Sequence, residues 1–190
     1  WNYLLESLGI SINKWVSYLI CFSGFTMSLT PLKSGEVIKS YYLKEYNGTR
    51  ISRSAPIFVM ERFSDFTGLT LISIVSMLSF KFGIPQISLI SILLLAIFLV
   101  LINSRQTKDF FLLLLTKFYL TKPHASRFKI ASEQFTILSS PKFLFPSLLY
   151  SLLIWSLECL SFYFIIKSTS YELNIFKSAF IFSTSSLVGA

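Results

Sequence analysis

Long apolar blocks separated by short polar connectors set the pattern of this chain. The hydrophobic residues come in runs, not at amphipathic spacing, and a run approaching ~20 residues is what an α-helix needs to cross a bilayer. About five segments of that kind can be drawn. The first runs from Trp15 to Thr30, is short, and ends at Pro31. The second runs from Ala55 to Phe82 with charges near its start, and the third, from Ile84 to Ile102, carries none. The fourth runs from Phe143 to Ile166 and is interrupted by Glu158, while a fifth begins near Asn174. The stretch Phe110 to Leu120 is apolar but short and contains Lys117, which predicts a helix lying in the membrane interface. The expected fold is all-α: a polytopic transmembrane helical bundle forming a single domain over residues 1–190, with a re-entrant or broken helix near Pro31 to Glu36.

The charges supply an independent test of that drawing. Lys33, Lys39, Lys44, Arg50 and Arg53 lie between the first and second segments. Arg105, Lys108, Lys117, Lys122, Arg127, Lys129 and Lys142 lie between the third and fourth, and the other connectors are sparse. If the second and third segments form a hairpin, both basic connectors, 32–54 and 104–142, fall on one face, which the positive-inside bias makes cytoplasmic. The expected location is the plasma membrane, with several passes. Only 14% of the 190 residues are charged, against roughly 25% in a soluble domain whose whole surface must be wetted. The net charge of +8 would suggest nucleic acid in a soluble protein, but its placement between apolar blocks excludes that partner here. Cys21 and Cys159 both lie inside apolar segments and form neither a disulfide framework nor a metal motif. No cofactor is implied.

Local signals agree with the segments. Ser54 is placed to cap the second helix and Pro56 to sit in its first turn, where a missing N–H costs nothing. Asn47-Gly48 marks a turn. The chain starts at Trp1 without a signal-peptide pattern and stops inside an apolar run, so it reads as a piece of a longer protein.

Three groups of residues carry candidate chemistry. Glu158 lies within an apolar span, where an acidic side chain costs roughly 2.5–3.5 kcal/mol. Helical spacing aligns Ser147, Ser151, Trp155, Glu158 and Ser161 along one face. That face would line a polar cavity or serve helix packing through a neutral, hydrogen-bonded glutamic acid. Glu61, Arg62 and Asp65 form the second group, with Glu61 and Asp65 one turn apart and Arg62 spaced to pair with Asp65. They are an internally paired network if the hydrocarbon begins at Ala55, and headgroup-layer residues if it begins at Phe66. The third group is Pro31-Leu32-Lys33-Ser34-Gly35-Glu36, followed by Lys39, Tyr41 and Tyr42. A helix broken by Pro and Gly exposes backbone N–H groups, which beside cations can bind a lipid phosphate, or the stretch is an ordinary interfacial loop.

These elements together resemble one family. The run P-L-K-S-G-E, with V-I-K-S-Y-Y-L after it, looks like the Pro-Gly-Arg-x-Gly-Glu element of the flippase-like, lysylphosphatidylglycerol synthase transmembrane-region family. V-M-E-R-F-S-D (Val59 to Asp65) is similar to its Glu-Arg-x-x-Asp element, and W-S-L-E (Trp155 to Glu158) to its later Trp-x-x-Glu helix. The resemblance covers most of the chain from Trp15 onward. Leu32 stands where the family has its first Gly, and Lys33 stands where it has Arg, which keeps the charge but loses the bidentate fork. The resemblance implies a protein that binds or translocates a lipid or lipid-linked headgroup, with anionic or polyprenyl-linked membrane lipids as partners. Lys33, Gly35, Glu36, Lys39, Glu61, Arg62, Asp65, Trp155 and Glu158 are the expected lipid-binding or cavity residues. The alternatives are a membrane transferase acting on a lipid-linked substrate and a non-transporting structural subunit. The transferase finds little support: there is no Asp-x-Asp pair, no phosphate-cradling Gly-rich loop and no zinc motif, and His124 stands alone in a basic connector. No residue is expected to be catalytic.

Overall fold

The computed structural model describes residues 1–26, 36–79, 89–90, 92–93, 96, 122–169 and 171–189. All regular structure among them is helical, in seven helices: α1 (Asn2–Ser7), α2 (Lys14–Phe25), α3 (Ile38–Asn47), α4 (Ile51–Leu78), α5 (Lys122–Leu138), α6 (Pro141–Ser168) and α7 (Ile175–Gly189). The first, second, fourth and fifth apolar segments correspond to α2, α4, α6 and α7. The expected break at Pro31 to Gly35 and the interfacial stretch 110–120 lie outside the described residues, as does most of the third segment. The basic stretches 32–54 and 104–142, expected as loops, contain helices α3 and α5. In α3 the reason is legible afterwards: Leu43, Lys39 and Ser40 are buried on one side while Tyr41, Tyr42 and Tyr46 are exposed on others, so the helix has an inner face.

The chain divides into two compact units, one formed by Trp1–Glu61 with Val100–Leu144, the other by Arg62–Leu99 with Phe145–Ala190. In the first unit, the Asn13 side chain accepts from the Trp15 N–H at 2.9 Å and so caps α2. α1 ends at Gly9, whose φ of +66° is the left-handed conformation that glycine adopts without a Cβ penalty. Arg53 of α4 donates through Nη2 to the Leu8 carbonyl at 2.7 Å, placing a cation on the carbonyl end of α1. Gly48, at φ +74°, ends α3 by donating its N–H to Lys44 O at 2.8 Å, so the Asn47-Gly48 turn lies where the sequence predicts it. Leu4, Leu5, Leu43, Ile57, Met60 and Leu138 form the apolar interior of this unit. The start of α4 corrects one expectation. The helix begins at Ile51, so Ser54 lies within it and not at its cap, and its Oγ is buried with no hydrogen-bond partner among the described residues. Pro56 likewise sits past the first turn, where its missing N–H leaves the Ser52 carbonyl without its helical donor.

The second unit inverts the usual soluble arrangement. Beside Phe63, Leu69, Met77, Cys159 and Leu187, its buried positions include Ser64, Thr70, Ser73, Ser76, Ser147, Ser151, Ser178 and Ser183, whereas Leu71, Val75, Leu149, Leu153, Ile154, Leu157 and Ile165 are exposed. Small hydroxyl residues inside and large apolar residues outside suit a helix pack whose solvent is lipid, because close backbone approach then replaces hydrophobic burial as the cohesive force. Among the described residues, α6 is long and apolar enough to cross a membrane, and only 11% of its most apolar window is buried. A soluble core helix of that composition would be mostly covered.

Close approach also governs α2 and α3 in the first unit. A Cβ on Gly24 would meet Lys39 Cγ at 2.8 Å and Cδ at 2.9 Å. These are mid-stem atoms of a side chain anchored at its far end, so they have little freedom to yield. Gly24→Ala is therefore expected to destabilise the protein by about 1–3 kcal/mol. Thermal unfolding of purified protein in detergent checks this; an unchanged midpoint would show that the Lys39 stem moves freely.

Candidate functional site

The sequence groups Glu61, Arg62 and Asp65 into one network, and the structure separates them by partner. Glu61 closes a cluster with Glu36 and Lys39 in the first unit. The Lys39 ammonium lies 2.8 Å from Glu61 Oε2 and 3.1 Å from Glu36 Oε2. Lys39 and Glu36 are buried on either side of the start of α3, and Glu61 comes from α4. The ammonium also lies 5.0 Å from the centroid of the Trp1 ring, within cation–π range. Gly24 leaves the space through which the lysine stem reaches this position. Burial by itself disfavours the charged ammonium, but the Glu61 and Glu36 carboxylates outweigh it and raise the Lys39 pKa above its ordinary value. Lys39 is thus a fixed positive charge that bridges two elements.

Asp65 is the centre of the second cluster, in the second unit. Its Oδ2 lies 3.0 Å from Arg62 Nη2, one turn back on α4. Its Oδ1 accepts from Ser151 Oγ and from Trp155 Nε1, each at 3.1 Å, and both donors stand on α6. The Trp155 ring in turn packs against Phe182 of α7, with centroids 6.4 Å apart. Gly68 allows the helices to meet: a Cβ there would lie 3.0 Å from Ser151 Oγ and 3.5 Å from the Leu152 backbone nitrogen. The aspartate therefore pins α4 to α6 with a carboxylate that receives both charged and neutral donors.

The expected serine stripe is only partly realised. Ser147 and Ser151 are buried and Trp155 is half-buried, but Glu158 and Ser161 are exposed, and Cys159 takes the inward position beside α7. Successive residues that match a face by spacing drift off it when the partner helix covers a narrow strip. Glu158 makes no hydrogen bond or ion pair among the described residues. Lys33 and Gly35 lie outside the described residues. Sequence reasoning missed the pairing of Lys39 with Glu61 and the two glycines that permit it and its counterpart; a glycine inside an apolar segment was the available signal in both places. No group of three or more His, Cys, Asp or Glu side chains that could hold a metal occurs among the described residues.

Two substitutions test these arrangements. Lys39→Met removes the buried cation that two carboxylates share and is expected to cost about 3–5 kcal/mol. Because the folded pKa of Lys39 is raised, its contribution is complete below the ordinary lysine value of 10.5 and is lost as pH rises through the higher folded value. The stability gap between wild type and Lys39→Met should accordingly hold from neutral pH to 10.5 and narrow above it. Trp155→Phe keeps a ring against Phe182 but removes a donor to a charged acceptor, and should cost about 1.5–3 kcal/mol in the same unfolding assay. A wild-type midpoint for that variant would leave Ser151 and Arg62 as the whole of the clamp.

No curated protein and no solved structure matches this chain. The profile of the family described as "Lysylphosphatidylglycerol synthase TM region" matches residues 1–190, a span that includes both clusters and the exposed apolar helix α6. The chain belongs to the lysylphosphatidylglycerol synthase transmembrane-region family, and is a membrane protein.

Proposed function

We propose that this protein is a multi-pass protein of the plasma membrane that binds and translocates a lipid or lipid-linked headgroup, in the manner of a flippase or scramblase. One observation carries the reading: the paired charges Asp65 and Arg62 of α4 are bonded to Ser151 and Trp155 of α6, the helix that is long and apolar enough to cross a bilayer. Charged groups packed against such a helix within the membrane are costly and mark polar pathways more often than they serve packing alone. The headgroup of a lipid crossing the hydrocarbon needs hydrogen-bonding partners along its route, because in that medium each unsatisfied polar group costs several kcal/mol. Family membership supports a link to membrane lipid, and the Glu36, Lys39 and Glu61 cluster supplies a second charged position. Lys33 and Gly35 belong to the same proposed lipid-handling set by their place in the motif beside Glu36. Basic side chains near the cytoplasmic leaflet would hold anionic lipid at roughly 1 kcal/mol each.

The test is headgroup translocation in liposomes, with fluorescent lipids of anionic, zwitterionic and polyprenyl-phosphate type and an impermeant quencher. The wild-type protein should accelerate at least one of them. Asp65→Asn should slow it by about tenfold, which needs only ~1.4 kcal/mol of lost stabilisation along the path. If wild-type protein accelerates none, the transport reading fails and a structural role takes its place.

A further inference from the structure

In the first unit, α2 and α3 pack against each other and are tied at two levels. Gly24, near the end of α2, faces Lys39, near the start of α3, so closely that a Cβ on the glycine would lie 2.8 Å from Lys39 Cγ. At the other level Arg53, shortly after α3, donates to the carbonyl of Leu8, shortly before α2, at 2.7 Å. The chain therefore leaves the Leu8–Arg53 level along α2 and returns to it along α3. Neither helix is long enough to cross a bilayer. α2 has 12 residues and α3 has 10, about 18 and 15 Å at 1.5 Å per residue, against a hydrocarbon core of ~30 Å.

The side chains that face outward follow the same order. α2 buries Ser17, Ile20 and Gly24 and exposes Trp15, Tyr18, Leu19, Phe22 and Phe25. Its two aromatic residues with a polar tip stand near its start, beside the exposed Lys14, and its exposed hydrocarbon side chains stand toward the end that meets α3. On the way back α3 buries Lys39, Ser40 and Leu43 and exposes Tyr41, Tyr42, Lys44 and Tyr46. Trp and Tyr toward the open end, with Phe and Leu toward the closed end, is the order met in passing from headgroups to acyl chains. The closed end also rests on protein, because the Lys39 ammonium is bound to Glu61 of α4. Chain that turns back at membrane depth needs that kind of cover.

We propose that α2 and α3 form a re-entrant hairpin whose exposed aromatic face is a contact surface for the lipid of one leaflet, entering and leaving the bilayer on the same side. Lys14, Lys44 and Arg50, exposed near the open end, add an attraction for anionic headgroups. The first apolar segment is then not a membrane span, and the residues before α2 and after α3 share one side of the membrane. The hairpin concerns how the chain meets the bilayer, and it does not depend on lipid transport.

Two measurements test it on the full chain in phosphatidylcholine–phosphatidylglycerol liposomes, in a Cys21→Ser, Cys159→Ser background, and neither involves transport. In the first, Ser11→Cys and Glu45→Cys are combined at two exposed positions flanking the hairpin and treated with an impermeant maleimide. Whatever the mixture of orientations, the intact masses should show chains with two labels or none. A single label on every chain would mean that α2 crosses the membrane, and the hairpin would be overturned. In the second, Phe22→Cys carries a bimane, which should lose most of its emission to nitroxides on lipid acyl chains and little to iodide in solution. Quenching by iodide, or by neither, would remove the lipid surface, whatever the label counts show.

Discussion

A charge removed from water must find its counter-charge within the protein, and most of what is specific in this chain follows from that constraint. Lys39 shows it most plainly. Its stem passes the bare backbone of Gly24, and its ammonium ends between Glu36 and Glu61. The arrangement joins the start of α3 to α4 and fixes where α2 can lie, so three helices share one solution to a single desolvation problem. Such a pair contributes little net stability relative to an apolar core of the same volume. Its effect is on specificity, since any other packing of these helices leaves a buried ion alone.

The second unit solves the same problem with different materials. Its interior holds serines and threonines beside a few apolar residues such as Leu69 and Leu187, and most of its large aliphatic residues point outward. In water that distribution would be unstable; against hydrocarbon it costs nothing, because lipid and leucine are equivalent solvents for one another. Cohesion then comes from close helix contact and hydrogen bonds. Gly68 and Ser151 supply the closeness, and Asp65 collects donors from α4 and α6 at the point where it occurs.

Much of this was legible in the sequence. Segment lengths located α2, α4, α6 and α7, because the apolar run that crosses a bilayer is set by helix rise and membrane thickness and needs no tertiary information. The motif residues Glu36, Lys39, Glu61, Arg62, Asp65 and Trp155 do converge on charged clusters. What could not be read was who pairs with whom. Glu61 and Asp65 are four residues apart on one helix, yet one is taken by a lysine 22 positions upstream and the other by a tryptophan 90 positions downstream. Spacing along a helix reports a shared direction, and only the partner element decides what lies in that direction. Ser54 failed for a related reason: the helix gained an extra turn before it, where Ile51 to Arg53 could extend the backbone pattern and bring Arg53 onto the end of α1.

The two clusters differ in a way that bears on what each can do. In the first, one buried ammonium joins two carboxylates, so the departure of Lys39 would remove the cation that Glu36 and Glu61 share. That cluster is suited to holding structure. In the second, the carboxylate is supported by a hydroxyl and an indole as well as by an arginine, and the arginine is a quarter exposed. Removing the cation there leaves Asp65 the Ser151 and Trp155 donors. The proposed headgroup site needs a carboxylate that stays supported when a cation moves away, and the neutral donors around Asp65 provide that support.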